Sequence, residues 1–262
     1  MKVWAVANQK GGVGKTTTAV SLAGLLASRG QRTLLIDLDP HGSMTSYFGF
    51  NADTVAPSIY DLFDQSALTN ALTIVRQVAD ERLSLLPSST ALATLDRQLG
   101  AKPGMGLIVR NTLQTLAEQF DFALLDCPPM VGILMVNALA ASDELLVPVQ
   151  TEFLALKGLE RMVRTLDMVQ RSRRQELSWR IVPTMFDRRT RASLDALEEL
   201  RSTYRERIWD DAIPVDTQFR EASRKGLPLT MDQPWSRGSQ AYRRLLDALL
   251  NEQLQSDQSV PS

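Results

Sequence analysis

The chain has 262 residues, 44% of them hydrophobic and 23% charged, with a formal net charge of −1, a balance that excludes both a disordered chain and a membrane-embedded one. Its apolar stretches, such as Ala138–Ala141 and Glu144–Val149, fall far short of the roughly 20 residues a spanning helix needs, and the opening MKVWAVANQKGG lacks the apolar core of a secretory leader. One cysteine, Cys127, and one histidine, His41, exclude a disulfide framework and a Cys/His metal site, so the cytoplasm is the expected compartment.

In chain order, Val3–Ala7 predicts a buried strand and Lys15–Ser28 a helix. Further strands are predicted at Thr33–Ile36, Leu83–Leu86, Phe122–Leu125, Leu145–Val149 and Trp179–Val182. Helices are predicted at Thr90–Arg97, Gly106–Gln119, Leu134–Ala141, Leu156–Arg174, Ser193–Tyr204 and Ser239–Leu254. The last carries one apolar stripe, Ala241, Tyr242, Leu245, Leu246, Leu249 and Leu250. Continuous apolar strands alternating with helices imply an α/β fold: a doubly wound, mostly parallel sheet with helices on both faces. Asn51–Ser58 and Gly100–Gly106 are the loosest stretches, and neither is long enough to divide the chain. One domain is expected over residues 1–250, followed by a polar, flexible tail over 251–262.

Residues 10–17 read KGGVGKTT between a predicted strand and a predicted helix. That context favours a phosphate-binding loop over a simple turn. Gly11, Gly12 and Gly14, with Val13, let successive N–H groups converge on one anion, and the helix starting near Lys15 adds its positive end. Lys15 is placed for the β- and γ-phosphates, the Thr16 hydroxyl for Mg²⁺ and Thr17 for the α-phosphate. Lys10 is not specified by the ordinary pattern. With it, KGGVGKT resembles the signature of the ParA/MinD family of deviant Walker A ATPases. The resemblance implies ATP and Mg²⁺ as cofactors and a homodimer with ATP between the subunits. It also places Lys10 and Gly11 at the dimer interface, with Lys10 acting in trans. A lysine that attracts phosphate within its own subunit is the alternative.

The second strand ends in LLIDLDPHGS, and alternation places Asp37 and Asp39 on one face at the strand's C-terminal edge. The resemblance implies that Asp39 orients the attacking water and Asp37 supports Mg²⁺; acids that cap the following helix are the alternative. Asp126 in FALLDCPP resembles the Walker B aspartate and joins Thr16 and Asp37 at the metal. Lys10, Lys15 and Asp39 are thus the expected catalytic set. Cys127 reads as a small buried residue, and Pro128 and Pro129 stiffen the turn that follows. His41 stands where many ParA proteins have Gln and reads as a loop residue, with a general-base role as the alternative. VPTMFDRRT resembles the strand end that holds adenine, which assigns Pro183, Thr184 and Met185 to the ATP site. IPVDTQFREAS and WSRGSQAY match C-terminal blocks of the family, and Asp216 joins the ATP site from the first of them.

Charge is uneven: residues 157–262 carry 19 basic and 16 acidic groups, and 17 of the basic ones are Arg. The tail QLQSDQSVPS lacks the apolar and basic residues of a membrane-targeting helix, so no membrane insertion is expected. Arg189 matches an arginine used by DNA-binding ParA proteins, whereas Gln218 stands where a second is usual. Arg189, Arg191, Arg220 and Arg224 form the expected partner or DNA surface. DPHGSMTSYFGF, LLPSSTALATLDRQ and TMFDRRTRASL are similar to the ParC-type ParA-like ATPases encoded with bacterial chemotaxis genes. That resemblance implies a CheW-like adaptor (ParP-type), a polar landmark, concentration at a cell pole and weak nonspecific DNA affinity. The expected function is an ATP-dependent dimerising switch with slow, partner-modulated hydrolysis that positions chemoreceptor arrays or polar machinery. A DNA-segregating ParA is the alternative, and a small-molecule ligase or reductase is the alternative of another class. An iron–sulfur reductase is disfavoured because one cysteine cannot supply the usual ligands.

Overall fold

Side chains on the first strand, β1 (Lys2–Val6), alternate between two interiors. Val3 and Ala5 enter one apolar cluster, while Trp4 and Val6 enter another. The strands β2 (Thr33–Asp37) and β5 (Phe122–Asp126) divide the same way: Leu34, Ile36, Ala123 and Leu125 on the first side, Leu35, Phe122 and Leu124 on the second. A sheet buried on both faces is the physical meaning of the unbroken apolar runs. The computed structural model describes residues 1–64, 70–95, 104–171, 173 and 175–258.

The remaining strands are β3 (Arg76–Val78), β4 (Asp80–Leu86), β6 (Glu144–Gln150) and β7 (Ser178–Thr184). Seven strands run in the order β3-β4-β2-β5-β1-β6-β7. Every pairing is parallel except β3 with β4. The helices are α1 (Lys15–Ser28), α2 (Ser43–Tyr47), α3 (Ala71–Ile74), α4 (Ile108–Thr115), α5 (Ile133–Ala141), α6 (Ala155–Gln170), α7 (Arg191–Thr203), α8 (Gln218–Lys225), α9 (Leu229–Asp232) and α10 (Arg237–Gln258). Helices α4, α5 and α6 cover the first face; α1 and α10 cover the second. The Tyr242 hydroxyl of α10 lies 2.9 Å from Thr18 Oγ1 of α1, giving two buried hydroxyls a partner.

All six expected strands are present, and the doubly wound architecture stands. The structure adds β3, a polar three-residue edge strand, and the helices α2, α3, α8 and α9. The helix expected over Gly106–Gln119 begins instead as a 3-10 turn, Met105–Leu107, and ends at Thr115. Asn137 of α5 forces that start: its Nδ2 donates to Met105 O at 2.7 Å while its Oδ1 accepts from Val109 N–H. The helix expected over Thr90–Arg97 is a 3-10 turn over Thr90–Thr94 capped by Ser89; its last two residues, most of Gly100–Gly106 and positions 172 and 174 lie outside the described residues. The tail boundary at 251 moves. Helix α10 runs on to Gln258, and Glu252 pairs with Arg180 of β7, which ties the added turns to the sheet edge. Residues 259–262 lie outside the described residues.

Gly24 shows how closely α1 is covered. A Cβ there would sit 2.6 Å from Pro228 Cβ and 2.8 Å from Thr230 Oγ1. Gly24→Ala gains about 1 kcal/mol of helix propensity, but a proline ring cannot give way. The variant is expected to lose about 1–2 kcal/mol net, read as a fall of about 3–6 °C in Tm in a thermal melt.

Candidate active site

The loop between β1 and α1 is held from beneath by Asn8. Its side chain is 2% exposed; Nδ2 donates to Pro148 O at 2.8 Å, and Oδ1 accepts from Lys10 N–H at 3.0 Å. Gly12 and Gly14 have φ of 75° and 90°, left-handed values that L side chains resist. No side chain caps α1, so its first N–H groups are left for an anion in the loop. Lys15 is buried and its Nζ donates to Lys10 O at 3.4 Å, crossing the loop. Gly11 is exposed, lies outside the left-handed region, and a Cβ there meets nothing within 4 Å. Neither backbone φ nor a steric contact among the described residues requires glycine at that position.

Across the sheet edge, Asp37 and Asp126 are register partners on β2 and β5. Asp126 Oδ2 accepts from Thr16 Oγ1 at 2.5 Å, whereas its Oδ1 is buried without a hydrogen-bond partner. That orphaned oxygen beside a hydroxyl suits a hard divalent cation. Burial pushes the Asp37 carboxyl up to about 6. Asp126 is raised as well, by burial first and then by the charge of Asp37. Asp37, expected to support Mg²⁺, also has partners within its own chain. Asp37 Oδ2 accepts from Thr45 N–H at 2.8 Å and Thr45 Oγ1–H at 2.7 Å, and Oδ1 accepts from Asp39 N–H at 3.1 Å. Asp37 therefore fastens the 39–45 segment, and Asp126 Oδ1 is the carboxylate oxygen of the pair left without a partner.

Asp39 lies beyond the strand. Its carbonyl accepts from Ser88 Oγ at 2.6 Å and from Gly42 N–H at 2.8 Å. Its Oδ1 accepts from His41 N–H at 3.0 Å and lies 2.8 Å from His41 Nδ1. A proton on Nδ1 leaves the Nε2 lone pair facing outward. Cys127 is buried, and burial together with Asp126 pushes its thiol well up, which makes it inert.

On the far side, Thr184 at the end of β7 donates its hydroxyl to Val13 O at 2.9 Å. Pro183 is buried behind it; Met185, at φ 53°, turns the chain outward and is 38% exposed. Asp216, expected at the nucleotide, has both oxygens committed: Oδ1 to Gln218 N–H and Oδ2 to Gly238 N–H, at 3.0 and 3.1 Å. It caps α8 and α10 together, a use that its position in the sequence does not announce. Lys10 does not extend outward in the single chain; its ammonium pairs with Glu152. Asn8, Thr45, Ser88 and Glu152 were all missed by sequence reasoning. Only Asn8, a strand-end Asx residue two before Lys10, carried a readable local signal.

The four surface arginines are exposed, but three face carboxylates of their own chain. Arg189 forks onto Asp187, whose carboxyl it holds down at about 2. Arg191 pairs with Asp195 at 2.9 Å, and Arg224 lies 3.8 Å from Glu221. Gln218 does not project to solvent as a substitute surface residue; its Oε1 is buried without a partner.

Residues 1–179 match a family described as an AAA domain. The chain is 35% identical over 242 residues to the sporulation initiation inhibitor protein Soj of Bacillus subtilis, covering 92% of this chain and 95% of that protein. It is 34% identical over 248 residues to the chromosome partitioning protein ParA of Myxococcus xanthus, with coverages of 93% and 86%. Among solved structures, cobyrinic acid a,c-diamide synthase from Mycobacterium smegmatis, with bound ATP analog and magnesium, superposes with a TM-score of 0.84 at 32% identity, covering 100% of this chain and 99% of that one.

The raised carboxyls make a pH-dependent prediction. Both titrate above an unfolded aspartate, so this pair binds more protons in the fold than in the unfolded chain from about pH 4 to pH 7, and its contribution to stability falls across that window as pH rises. Asp126→Asn removes one charge of the pair while keeping the acceptor for Thr16. Thermal melts without ligand should show the variant about 2–4 °C above wild type at pH 7.5 and nearly level with it at pH 4.5.

Proposed function

The chain belongs to the ParA/MinD family of P-loop ATPases, with Soj and ParA as its relatives, and from that membership we propose that it is an ATP-driven dimerising switch with slow hydrolysis. Lys15 and the N–H groups of Gly11 to Thr17 bind the phosphates of ATP. Thr16 and the unpaired Oδ1 of Asp126 would hold Mg²⁺, which would neutralise phosphate charge there. Asp39 orients the attacking water; His41 fixes one of its oxygens, and Oδ2 has no partner among the described residues. Such chemistry depends on positioning, so turnover is slow until a partner completes the site.

The observation that carries the dimer is the character of the loop edge. Gly11 is exposed, and neither its φ nor a steric contact among the described residues requires glycine there. Around it, on the turns after β5 and β6, stand Met130 at 70% exposure, Val131 at 49%, Phe153 at 89% and Leu154 at 51%. An apolar rim around a polar site is suited to cover by a second copy. Lys10 would then leave Glu152 and reach the partner's nucleotide.

For the cargo, the in-chain neutralisation of Arg189, Arg191 and Arg224 favours a protein partner over a DNA track. On the resemblance of its motifs to ParC-type proteins, we take a CheW-like adaptor and a polar landmark as the proposed partner. The second reading, DNA segregation, is supported by the names of the Soj and ParA relatives. No helix of the described residues is long and apolar enough to cross a membrane. Turnover that stays low until a protein is added supports the switch over a small-molecule ligase.

Two measurements test these readings. Asp39→Ala should bind ATP normally, lose at least about 100-fold in hydrolysis, and persist as a dimer by light scattering with Mg-ATP; unchanged hydrolysis would move the water-orienting role elsewhere. Wild type with ATP should retain plasmid DNA only at low salt. Firm retention at physiological salt that falls steeply on adding more, and that Arg189→Glu abolishes, would transfer the assignment to DNA segregation.

A further inference from the structure

Five polar residues join the phosphate loop to the loop that carries Arg189. Val13 O accepts from the Thr184 hydroxyl at 2.9 Å. Thr184 O accepts from Thr151 N–H at 3.0 Å and from the Thr151 hydroxyl at 3.3 Å. Thr151 Oγ1 lies 2.7 Å from Ser193 Oγ. Ser193 Oγ accepts from Asp187 N–H at 3.1 Å, and the Asp187 carboxylate receives the N–H and guanidinium of Arg189.

Thr184, Thr151 and Ser193 are 2%, 5% and 4% exposed. Apolar residues of the same size would fill those sites without needing partners, so hydroxyls there are costly unless every one is matched. They are matched, and in one direction. The Asp187 N–H donates to Ser193 Oγ and the Thr151 hydroxyl to Thr184 O, an arrangement that leaves Ser193 as the donor in the bond it shares with Thr151. Thr151 and Ser193 each give one bond and receive one, an order in which neighbouring bonds strengthen each other, and the Thr184 hydroxyl gives one, to Val13 O. The chain joins three elements: β7 through Thr184, the turn after β6 through Thr151, and α7 through Ser193.

We propose that this buried hydroxyl chain couples the state of the phosphate loop to the Arg189 loop, so that ATP binding resets the partner surface. Val13 is the input, because an anion gathered by the loop's N–H groups turns the peptides on either side of its carbonyl. The output is the Asp187 amide, whose carboxylate orients Arg189. The proposal rests on the reading that the loop binds ATP.

Amide hydrogen exchange over residues 186–190, with and without saturating Mg-ATP, tests it without needing the partner. Calorimetry on the same samples establishes ATP binding. In wild type, ATP should change exchange in this loop by about fivefold or more, the lower end of measured couplings between sites. Thr151→Val keeps the volume and the N–H bond to Thr184 but removes the middle hydroxyl. It should bind ATP within about twofold of wild type and lose the loop response; Thr151→Ser, which retains the hydroxyl, should keep it. If Thr151→Val proves unstable, the double variant Thr151→Val, Ser193→Ala removes both hydroxyls together and should likewise bind ATP with no loop response. ATP binding with no response in wild type, or a full response in Thr151→Val or the double variant, would overturn the coupling and leave the ATPase reading in place. Failure of wild type to bind ATP would overturn that reading itself.

Discussion

Two carboxylates that repel each other organise this molecule's working edge. Parallel pairing of β2 with β5 sets Asp37 opposite Asp126, in an interior that water does not reach. Their surroundings answer the repulsion. Thr16 donates to one, Thr45 and the Asp39 amide donate to the other, and the positive charge of Lys15 favours ionisation of Asp126. Asp37 is tethered to Thr45, and Thr45 Oγ1 in turn accepts from Ser88 N–H at 2.8 Å, so the carboxylate pair is bonded directly to the 39–45 segment. The catalytic candidate Asp39 sits within that segment.

The parts of this arrangement that the sequence discloses are those written in local patterns. Strands buried on both faces leave unbroken apolar runs, and a glycine loop between strand and helix is readable as an anion site. Asp126 could be found because it ends such a run. Strand β3 could not, since RQV has no apolar run and is a strand only because β4 lies beside it. Helix α8 is too polar to show a stripe, although Gly226 closes it at φ 68°. The roles of Asp37, Asp216 and Glu152 were hidden for a different reason. Each is decided by a partner 8 to 142 positions away, and side-chain chemistry alone does not say whether a carboxylate faces a ligand or a backbone amide.

The arginine-rich second half teaches a similar caution. Its surplus of positive charge dissolves into pairs: Arg189 with Asp187, Arg191 with Asp195, Arg207 with Glu176, Arg244 with Asp211 and Lys225 with Asp232. Arg207 also lies over the Trp179 ring, and Arg243 lies over that of Trp235. Exposed pairs of this kind contribute about 0–1 kcal/mol each to stability. Their larger effect is to cancel field at short range, so that a count of arginines overstates the potential an approaching polyanion meets.

The lateral borders of the sheet carry a consequence for assembly. At one border, Ile208 pairs beside Ile181 of β7, and Phe186 pairs with Pro214. At the other, β3 is three residues long, antiparallel and interrupted by a register shift at Gln77 and Val78. Both are devices that blunt an edge against strand addition. The sheet is therefore poorly suited to grow sideways into a continuous ribbon. A fold closed at its flanks in this way leaves the loop-bearing end of its strands as the open approach for another molecule.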